Sequence, residues 1–327
     1  MALIDTLESA WYGAGRAPWW TSPLAAFYGG VIRLRGALYL IGWLRSVRLP
    51  VPVVVVGNLS VGGTGKTPLT IAVVEALRAR GYRPGVVSRG YGGRQREPLL
   101  LGESPDPAQV GDEPCLIHAS GAPVAVGRDR PAAAQLLIDA GCNVLVADDG
   151  LQHYALARDV EICVIDGARR FGNGRLLPAG PLREPMSRLQ RVDLRVCNGG
   201  VAETGEYPMQ LRGSEVVALE SGSIQPLAGF RGRRVHAVAA IGHPRRFFES
   251  LRAAGIEPIE HAFSDHHDFV ATDLDFADGL PVLMTDKDAV KCLRFAQPDW
   301  WRVPVQAELP SAFFDDLVGR IELLPRR

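Results

Sequence analysis

The hydrophobic positions of this chain follow two recurring patterns. At 51–58 the sequence V-P-V-V-V-V-G-N is an almost unbroken apolar run, long enough for one strand buried on both faces, as in parallel sheets. From Leu69 to Leu77 the apolar residues recur at helical spacing, and Gly81 follows as a stop signal. The pattern therefore predicts a strand followed by a helix.

The same alternation continues along the chain. After residue 84 come G-V-V-S-R-G-Y, a helix that opens near Asp112, P-V-A-V, a helix from about 128 to 140, and N-V-L-V-A-D-D. Further strands are predicted at 160–166 and 193–198. This rhythm is typical of a parallel α/β sheet, whose ligands bind at the carboxyl ends of the strands.

A second α/β unit begins at R-V-H-A-V-A-A-I-G, residues 234–242. A predicted helix, P-R-R-F-F-E-S-L-R-A-A-G, and the strands I-E-P-I-E-H-A-F and P-V-L-M-T follow it. A helix from Lys287 and a short terminal strand and helix complete the unit. Residues 199–230, rich in glycine, serine and glutamate, are interpreted as a connector or a small β-ribbon.

The first strand and helix enclose S-V-G-G-T-G-K-T-P, residues 60–68. This segment ends like the phosphate-binding loop G-x-x-x-x-G-K-[ST], but Ser60 stands where that pattern has glycine, which matters only if the position needs positive φ. In such a loop Lys66 reaches the β- and γ-phosphates and the Thr67 hydroxyl binds Mg²⁺. The predicted nucleotide-binding residues are Ser60, Val61, Gly62, Gly63, Thr64, Gly65, Lys66 and Thr67.

Composition supports this interpretation of the loop. The 327 residues contain three lysines, Lys66, Lys287 and Lys291, and otherwise use arginine as the cation. Phosphate loops need the compact ammonium, so a lysine at 66 is informative. The formal net charge of zero argues against nucleic-acid binding through a global positive field. Five scattered cysteines without a ligand-like spacing suggest core residues of a reduced, cytoplasmic protein.

Residues 1–50 depart from this pattern. They carry four of the six tryptophans, and 25–47 form an apolar stretch interrupted by Arg33 and Arg35, with no uncharged run long enough to span a bilayer. Asp5 and Glu8 argue against a cleaved signal peptide. Five arginines minus two acidic residues give +3, which favours an amphipathic helix on an anionic membrane surface. The alternative is a helix packed on the sheet of its own domain.

Four domain segments are predicted from these patterns. They are an N-terminal helical segment at the membrane interface (1–50), a P-loop-type domain with a mostly parallel sheet (51–212), a connector (213–232) and a smaller C-terminal α/β domain (233–327).

Several acidic groups are candidates for the chemistry. Asp148 and Asp149 follow an apolar strand, where a P-loop protein keeps its magnesium-organising acid, and the sequence does not decide between them. Asp112 is predicted at a helix N-cap with Glu113 in the first turn, which an ordinary cap also explains. Adjacent histidines occur in S-D-H-H-D-F at 264–269.

The segment L-P-A-G-P-L-R-E-P at 177–185 is rich in proline and glycine. These residues predict a stiff loop that presents Arg183 and Glu184 side by side, suited to a phosphate and a metal ion.

Together these motifs resemble those of the tetraacyldisaccharide 4'-kinases of lipid A biosynthesis, through nearly the whole chain. The motifs that carry the resemblance are G-N-L-S-V-G-G-T-G-K-T-P, S-R-G-Y, G-D-E-P, D-D-G-L-Q-H, G-P-L-R-E-P, D-H-H-D-F and T-D-K-D-A-V-K. Serine or threonine at the first loop position is that family's usual variant.

The resemblance implies transfer of the ATP γ-phosphoryl group to the 4'-hydroxyl of a tetraacylated disaccharide 1-phosphate at the cytoplasmic face of the inner membrane. It further implies that Asp112 is the base and His266 its partner, and that Arg183 steadies the phosphoryl group. The implied magnesium residues are Thr67, Glu113, Asp148 or Asp149, and Glu184. The residues implied to face the substrate are Arg89 and Tyr91.

Two other functions are compatible with the loop. A P-loop ATPase or GTPase of the metallochaperone or partitioning type shares G-G-x-G-K-T, although guanine specificity needs N-K-x-D and the nearest match here is T-D-K-D. A non-catalytic, nucleotide-sensing membrane adaptor is the other alternative, and it requires neither Asp112 nor His266.

Overall fold

The apolar run at 51–58 forms the middle strand of the larger sheet in the computed structural model, which describes residues 2–13, 15–265 and 267–325. The strands are β1 (Val53–Gly57), β2 (Pro84–Ser88), β3 (Leu99–Leu100), β4 (Val124–Val126), β5 (Val144–Asp148), β6 (Val160–Asp166), β7 (Leu194–Asn198), β8 (Tyr207–Arg212), β9 (Glu215–Ala218), β10 (Ile224–Pro226), β11 (Arg234–Ala239), β12 (Glu257–Ala262), β13 (Val282–Thr285), β14 (Trp300–Val303) and β15 (Gln306–Glu308). The α-helices are α1 (Ala2–Tyr12), α2 (Thr21–Leu40), α3 (Lys66–Ala79), α4 (Pro107–Val110), α5 (Asp112–Ala119), α6 (Arg130–Asp139), α7 (Pro244–Ala253), α8 (Asp286–Cys292) and α9 (Ser311–Glu322).

Nine strands of the described chain form the first sheet in the order β15-β8-β7-β6-β1-β5-β2-β4-β3. Neighbours from β8 to β4 run parallel, and β15 and β3 close the two edges in antiparallel orientation. The sheet is therefore mostly parallel, as the alternating pattern predicts.

The valines of β1 show why this sheet needs a layer on each face. Val54 and Val56 pack into a core with α3, α5 and α9, whereas Val53 and Val55 pack into another with α6 and the loops after β5 and β6. All four are at most 1% exposed. Because both faces are covered, the strand has the near-continuous apolar sequence that parallel sheets require.

The second sheet has the order β10-β9-β14-β13-β11-β12. Strands β14, β13, β11 and β12 are parallel, β9 pairs antiparallel with β14, and β10 pairs antiparallel with β9. Helix α7 packs on this sheet through Phe247, Phe248 and Leu251. The chain thus has the predicted α/β architecture with a second, smaller sheet.

Two segments lie elsewhere than the simple sequence order suggests. Within the predicted connector, β9 and β10 belong to the second sheet, with β10 at its edge and β9 beside it. At the other end, β15 and α9 return to the first sheet, where Phe313 and Leu317 are fully buried. The domain limits drawn from the sequence stay predictions. The pairing of β15 with β8 joins residues that are far apart in the sequence, so local patterns do not indicate it.

The apolar N-terminal stretch forms α2, from Thr21 to Leu40. Only a narrow side of it is covered, at Thr21, Ala25 and Gly29, and the Tyr28 hydroxyl donates to the Arg183 carbonyl at 3.2 Å. Among the described residues, no helix combines the length and apolar character needed to cross a bilayer.

Candidate active site

The glycine loop between β1 and α3 has the conformation of a phosphate cradle. Gly62 and Gly65 have φ of 98° and 91°, in the region that favours glycine, and α3 begins at Lys66 directly after the loop. Ser60 is not among the residues with positive φ and is buried against Leu182. Serine at the first position therefore costs the loop nothing in backbone strain.

Two asparagines at strand ends brace the loop. Asn198, the last residue of β7, donates to the Thr64 carbonyl at 2.9 Å. Asn58, just after β1, accepts from the Lys66 ammonium at 3.4 Å. Within the described residues, Asn58 Nδ2 and Thr64 Oγ1 are buried without a protein partner, and such groups fit the oxygens of a bound ligand.

The two adjacent aspartates occupy different environments. Asp148 ends β5, is buried and accepts from Thr70 Oγ1 at 3.2 Å. Burial, followed by the charges of Asp149 and Glu113, raises the pKa of Asp148 to about 6. The charged form of Asp148 is therefore disfavoured mainly by its burial.

Asp149 leaves the strand at φ 47° and turns toward cations. Its carboxylate lies 2.9 Å from an Arg183 nitrogen and 3.7 Å from Lys66 Nζ. Burial alone would raise the pKa of Asp149, but these two cations lower it to about 2. Arg130, which the sequence did not single out, donates to the Asp149 carbonyl at 3.1 Å and so supports the turn.

Asp112 and Glu113 are the first two residues of α5. The prediction that Asp112 is the N-cap is wrong by one residue. Gly111, with φ 93°, is the N-cap, and Asp112 is the first residue of the helix. A side chain at Gly111 would approach the Tyr91 carbonyl to 2.5 Å, so only glycine allows this entry. The early position still suits both acids, because the helix dipole favours negative charge there.

The remaining two lysines of the chain reach these acids from the second sheet. Lys287 lies 2.9 Å from Glu113 Oε1, and Lys291 lies 3.6 Å from Asp112 Oδ2. All three lysines of the protein therefore lie beside acidic groups of one site. Sequence reasoning assigned a role only to Lys66, although the scarcity of lysine also marked the pair in T-D-K-D-A-V-K.

The loop at 177–185 positions Arg183 and Glu184 differently from the prediction. Arg183 turns to Asp149, whereas Glu184 is buried and accepts from the Tyr154 hydroxyl and, at 3.1 Å, from Gln152. The two side chains do not form a pair in this structure, because Arg183 binds Asp149 whereas Glu184 accepts hydrogen bonds from Tyr154 and Gln152. A magnesium role for Glu184 stays a prediction.

The predicted substrate-facing residues lie near the acid pair. Arg89 is exposed after β2, and Tyr91 is 65% exposed, with its backbone against Gly111. His266 lies outside the described residues. Its neighbour His267 contacts Asp273 at 2.9 Å and is therefore held within the second sheet's own layer.

The donor set fits magnesium held jointly with a nucleotide. Among the described residues, no three His, Cys, Asp or Glu side chains converge on a common point as in a complete metal site. Magnesium, however, usually binds one or two carboxylates and completes its shell with water and substrate phosphates. Asp148 and Glu113, which influence each other electrostatically beside Lys66, are oxygen donors of that kind.

A mostly parallel sheet, a glycine loop after its central strand and an acid at the end of the neighbouring strand define the P-loop class of nucleotide-dependent enzymes. The chain belongs to the tetraacyldisaccharide 4'-kinase family, since the family model described as tetraacyldisaccharide-1-P 4'-kinase matches residues 17–322. This confirms the resemblance seen in the sequence motifs, the kinase activity in lipid A biosynthesis, and ATP with Mg²⁺ as cofactors.

Individual relatives agree with the family. The tetraacyldisaccharide 4'-kinase of Stenotrophomonas maltophilia is 52% identical over 325 residues, covering 96% of each chain. That of Xanthomonas euvesicatoria is 51% identical over 331 residues, covering 97% of this chain and 96% of its own. The crystal structure of LpxK from Aquifex aeolicus, an "apo" form in complex with ATP, superposes with a TM-score of 0.76 at 28% identity, covering 91% of this chain and 98% of that one. None of these favours the metallochaperone alternative.

Proposed function

We propose that this site transfers the γ-phosphoryl group of Mg-ATP to the 4'-hydroxyl of a tetraacylated disaccharide 1-phosphate, with Asp112 accepting the hydroxyl proton. One observation carries the proposal. The N-terminus of α5 carries Asp112 and Glu113, and the charges of both Glu113 and Lys66 act on Asp148 at the end of β5, which supports one site shared by the start of α5 and the phosphate loop.

The charged residues that we assign to the phosphates differ from those that we assign to magnesium. Bound Mg-ATP supplies the reactive phosphoryl group and a cation that neutralises its oxygens. Lys66 and Arg183, both held by Asp149 in this structure, provide positive charge for the phosphates. Asp148 and Glu113 are the proposed magnesium donors, with Thr67 and Glu184 as further candidates.

Asp112 is well placed to act late in the transfer. A sugar hydroxyl becomes acidic only as its bond to phosphorus forms, so a positioned carboxylate is a sufficient base. The Asp112 side chain is 11% exposed at the start of α5, which keeps it out of bulk water. His266 as its partner, and Arg89 and Tyr91 as contacts to the disaccharide, stay predictions from the family resemblance.

The test is transfer of labelled γ-phosphate from Mg-ATP to the disaccharide lipid in detergent micelles. Wild type should form labelled lipid, and Lys66→Ala should not, because the loop loses its ammonium. Asp112→Asn should lower kcat by at least about 100-fold while binding ATP normally. ATP hydrolysis by wild type without labelled lipid, or loss of ATP binding in Asp112→Asn, would contradict the proposal.

We further propose that α2 holds the enzyme on the inner-membrane surface that contains its lipid substrate. Leu24, Phe27, Val31 and Leu34 lie at helical spacing along α2 and are between 47% and 73% exposed. Trp43, just beyond the helix, is 81% exposed, and Arg33 and Arg35 are available to anionic headgroups. An apolar stripe flanked by tryptophan and arginine is typical of helices at a bilayer interface.

Sedimentation with vesicles of phosphatidylglycerol and phosphatidylcholine tests this second proposal. Phe27→Ser/Leu34→Ser should reduce the bound fraction about tenfold because apolar burial in the bilayer is lost. Val201→Ser, at an equally exposed apolar position outside α2, is the matched control and should bind like wild type. Equal binding by the α2 variant and the control would exclude α2 as the membrane contact.

A further inference from the structure

The Lys291 ammonium lies between the two sheets at the acceptor side of the site. Its side chain is 7% exposed. It donates to the His267 carbonyl at 2.9 Å and lies 3.3 Å from Asp288 Oδ1 and 3.6 Å from Asp112 Oδ2. The ammonium therefore makes one hydrogen bond, to the His267 carbonyl, and ion pairs with two carboxylates.

The second sheet fixes this ammonium in place. Asp288 is fully buried, and its other carboxylate oxygen accepts from the Ala240 amide at 2.9 Å and from Thr285 Oγ1 at 2.6 Å. Phe269 lies under the ammonium, 5.2 Å from its ring centre. Because Asp288, Phe269 and the His267 carbonyl all belong to the second sheet's layer, Lys291 reaches Asp112 from a rigid support.

From this geometry we infer that Lys291 is a positioning residue, which orients the Asp112 carboxylate toward the acceptor hydroxyl. The inference rests on the proposed function of Asp112 as base. The ammonium lies 3.6 Å from Oδ2 of Asp112, so its charge restrains the orientation of this carboxylate. Catalysis is sensitive to such placement, since a shift of about 1 Å can cost about 100-fold in rate.

Arginine would not serve equally well at this position. The carbonyl and the two carboxylates surround a point, which suits a compact ammonium rather than a planar fork. The chain uses arginine for 33 of its 36 cationic residues, since 36 minus the three lysines leaves 33, and keeps lysine for this site. The geometry around position 291 therefore favours lysine over arginine.

The experiment is a double-mutant cycle of Lys291→Met and Asp112→Asn, with kcat, KM for both substrates and Tm measured for each protein. Lys291→Met should lower kcat at least about tenfold with little change in KM for ATP. In the Asp112→Asn background the same change should lower kcat by less than about twofold, because the carboxylate it orients is already gone. A purely structural lysine would lower kcat equally in both backgrounds.

Arg294→Met is the matched control. Arg294 also donates to this segment, at the Phe269 carbonyl, but is largely exposed and is not placed at Asp112. It should retain wild-type kcat. If Lys291→Met proves too unstable, Lys291→Gln, which keeps an N–H donor without the charge, replaces it in the cycle.

The outcomes separate the two proposals. Normal turnover in Asp112→Asn would overturn the role of Asp112 as base, and with it this inference. Low turnover in Asp112→Asn combined with normal turnover in Lys291→Met would overturn the positioning role alone. Equal losses in both backgrounds would do the same.

Discussion

Asp148 and Asp149 show that a shift of one position along the chain can reverse the effect of the surroundings on the pKa of an aspartate. Asp148, at the end of β5, accepts a hydrogen bond from Thr70 of α3. Asp149 has left-handed backbone geometry, and its carboxylate contacts Arg183 and Lys66. The pKa of one is raised and that of the other lowered. A sequence shows only two adjacent aspartates, because the turn that separates them depends on Arg130 from another helix.

Asp148→Asn should stabilise the ligand-free protein while abolishing turnover. The raised pKa, about 6 against an ordinary 3.8, means that folding takes up a proton between those pH values. Stability is therefore lost as pH rises from about 4 to about 6, and ionised Asp148 costs on the order of 3 kcal/mol at neutral pH.

Thermal unfolding without nucleotide or magnesium checks this expectation. The Tm of Asp148→Asn should exceed that of wild type at pH 7.5, and the difference should shrink as pH falls toward 4. Thr70→Val, which removes the hydroxyl donor but leaves the carboxylate, is the control and should lower Tm. A lower Tm for Asp148→Asn at pH 7.5 would show that Asp148 is stabilised by its surroundings.

At the scale of elements, the sequence predicted the strand and loop around Lys66 well because all of their determinants are local. β-Branched runs, glycines and helical spacing lie within a few residues of one another. The start of α5 was predicted less well, because Gly111 rather than Asp112 caps it. That choice depends on the Tyr91 backbone, which packs against Gly111 from a different part of the chain.

Gly111→Ala should disturb α5 and lower activity. The new methyl group would lie 2.5 Å from the Tyr91 carbonyl oxygen, and the φ of 93° is costly for alanine. Both the entry of α5 and the position of Asp112 should shift, so we expect kcat to fall at least about tenfold and Tm to fall by several degrees.

Gly121→Ala is a suitable control, since Gly121 follows the same helix with a similar φ of 81° but meets only the flexible end of Arg78 at 3.8 Å. It should lower Tm through backbone strain with little change in kcat. Equal kcat in the two variants would show that the position of α5's first turn is not critical for turnover.

At the scale of the whole molecule, the second sheet approaches the phosphate loop closely. A methyl group on Gly242, just after β11, would lie 2.9 Å from the Gly63 nitrogen, and Arg246 of α7 donates to the Asn198 carbonyl at 3.2 Å. Sequence patterns predicted both sheets but not this contact, because it depends on how the two layers meet. The pairing of Lys287 with Glu113 has the same origin.

Gly242→Val should raise the KM for ATP. The larger side chain would push the second sheet away from the loop, and we expect KM for ATP to rise about tenfold with little change in Tm. Steady-state kinetics with the lipid acceptor held at saturation would measure this. Gly229→Val, in the second sheet's layer with open space around it, is the control, and a similar rise in its KM would contradict the contact's importance.

The return of β15 and α9 to the first sheet also has a consequence for synthesis of the protein. Ribosomes release the chain from its N-terminus, and domains commonly fold as soon as they emerge. Here the core around α3 lacks Phe313 and Leu317 until nearly the whole chain has been made. The phosphate loop is therefore translated early but completes its supporting core late, and the nascent chain depends longer on protection from aggregation.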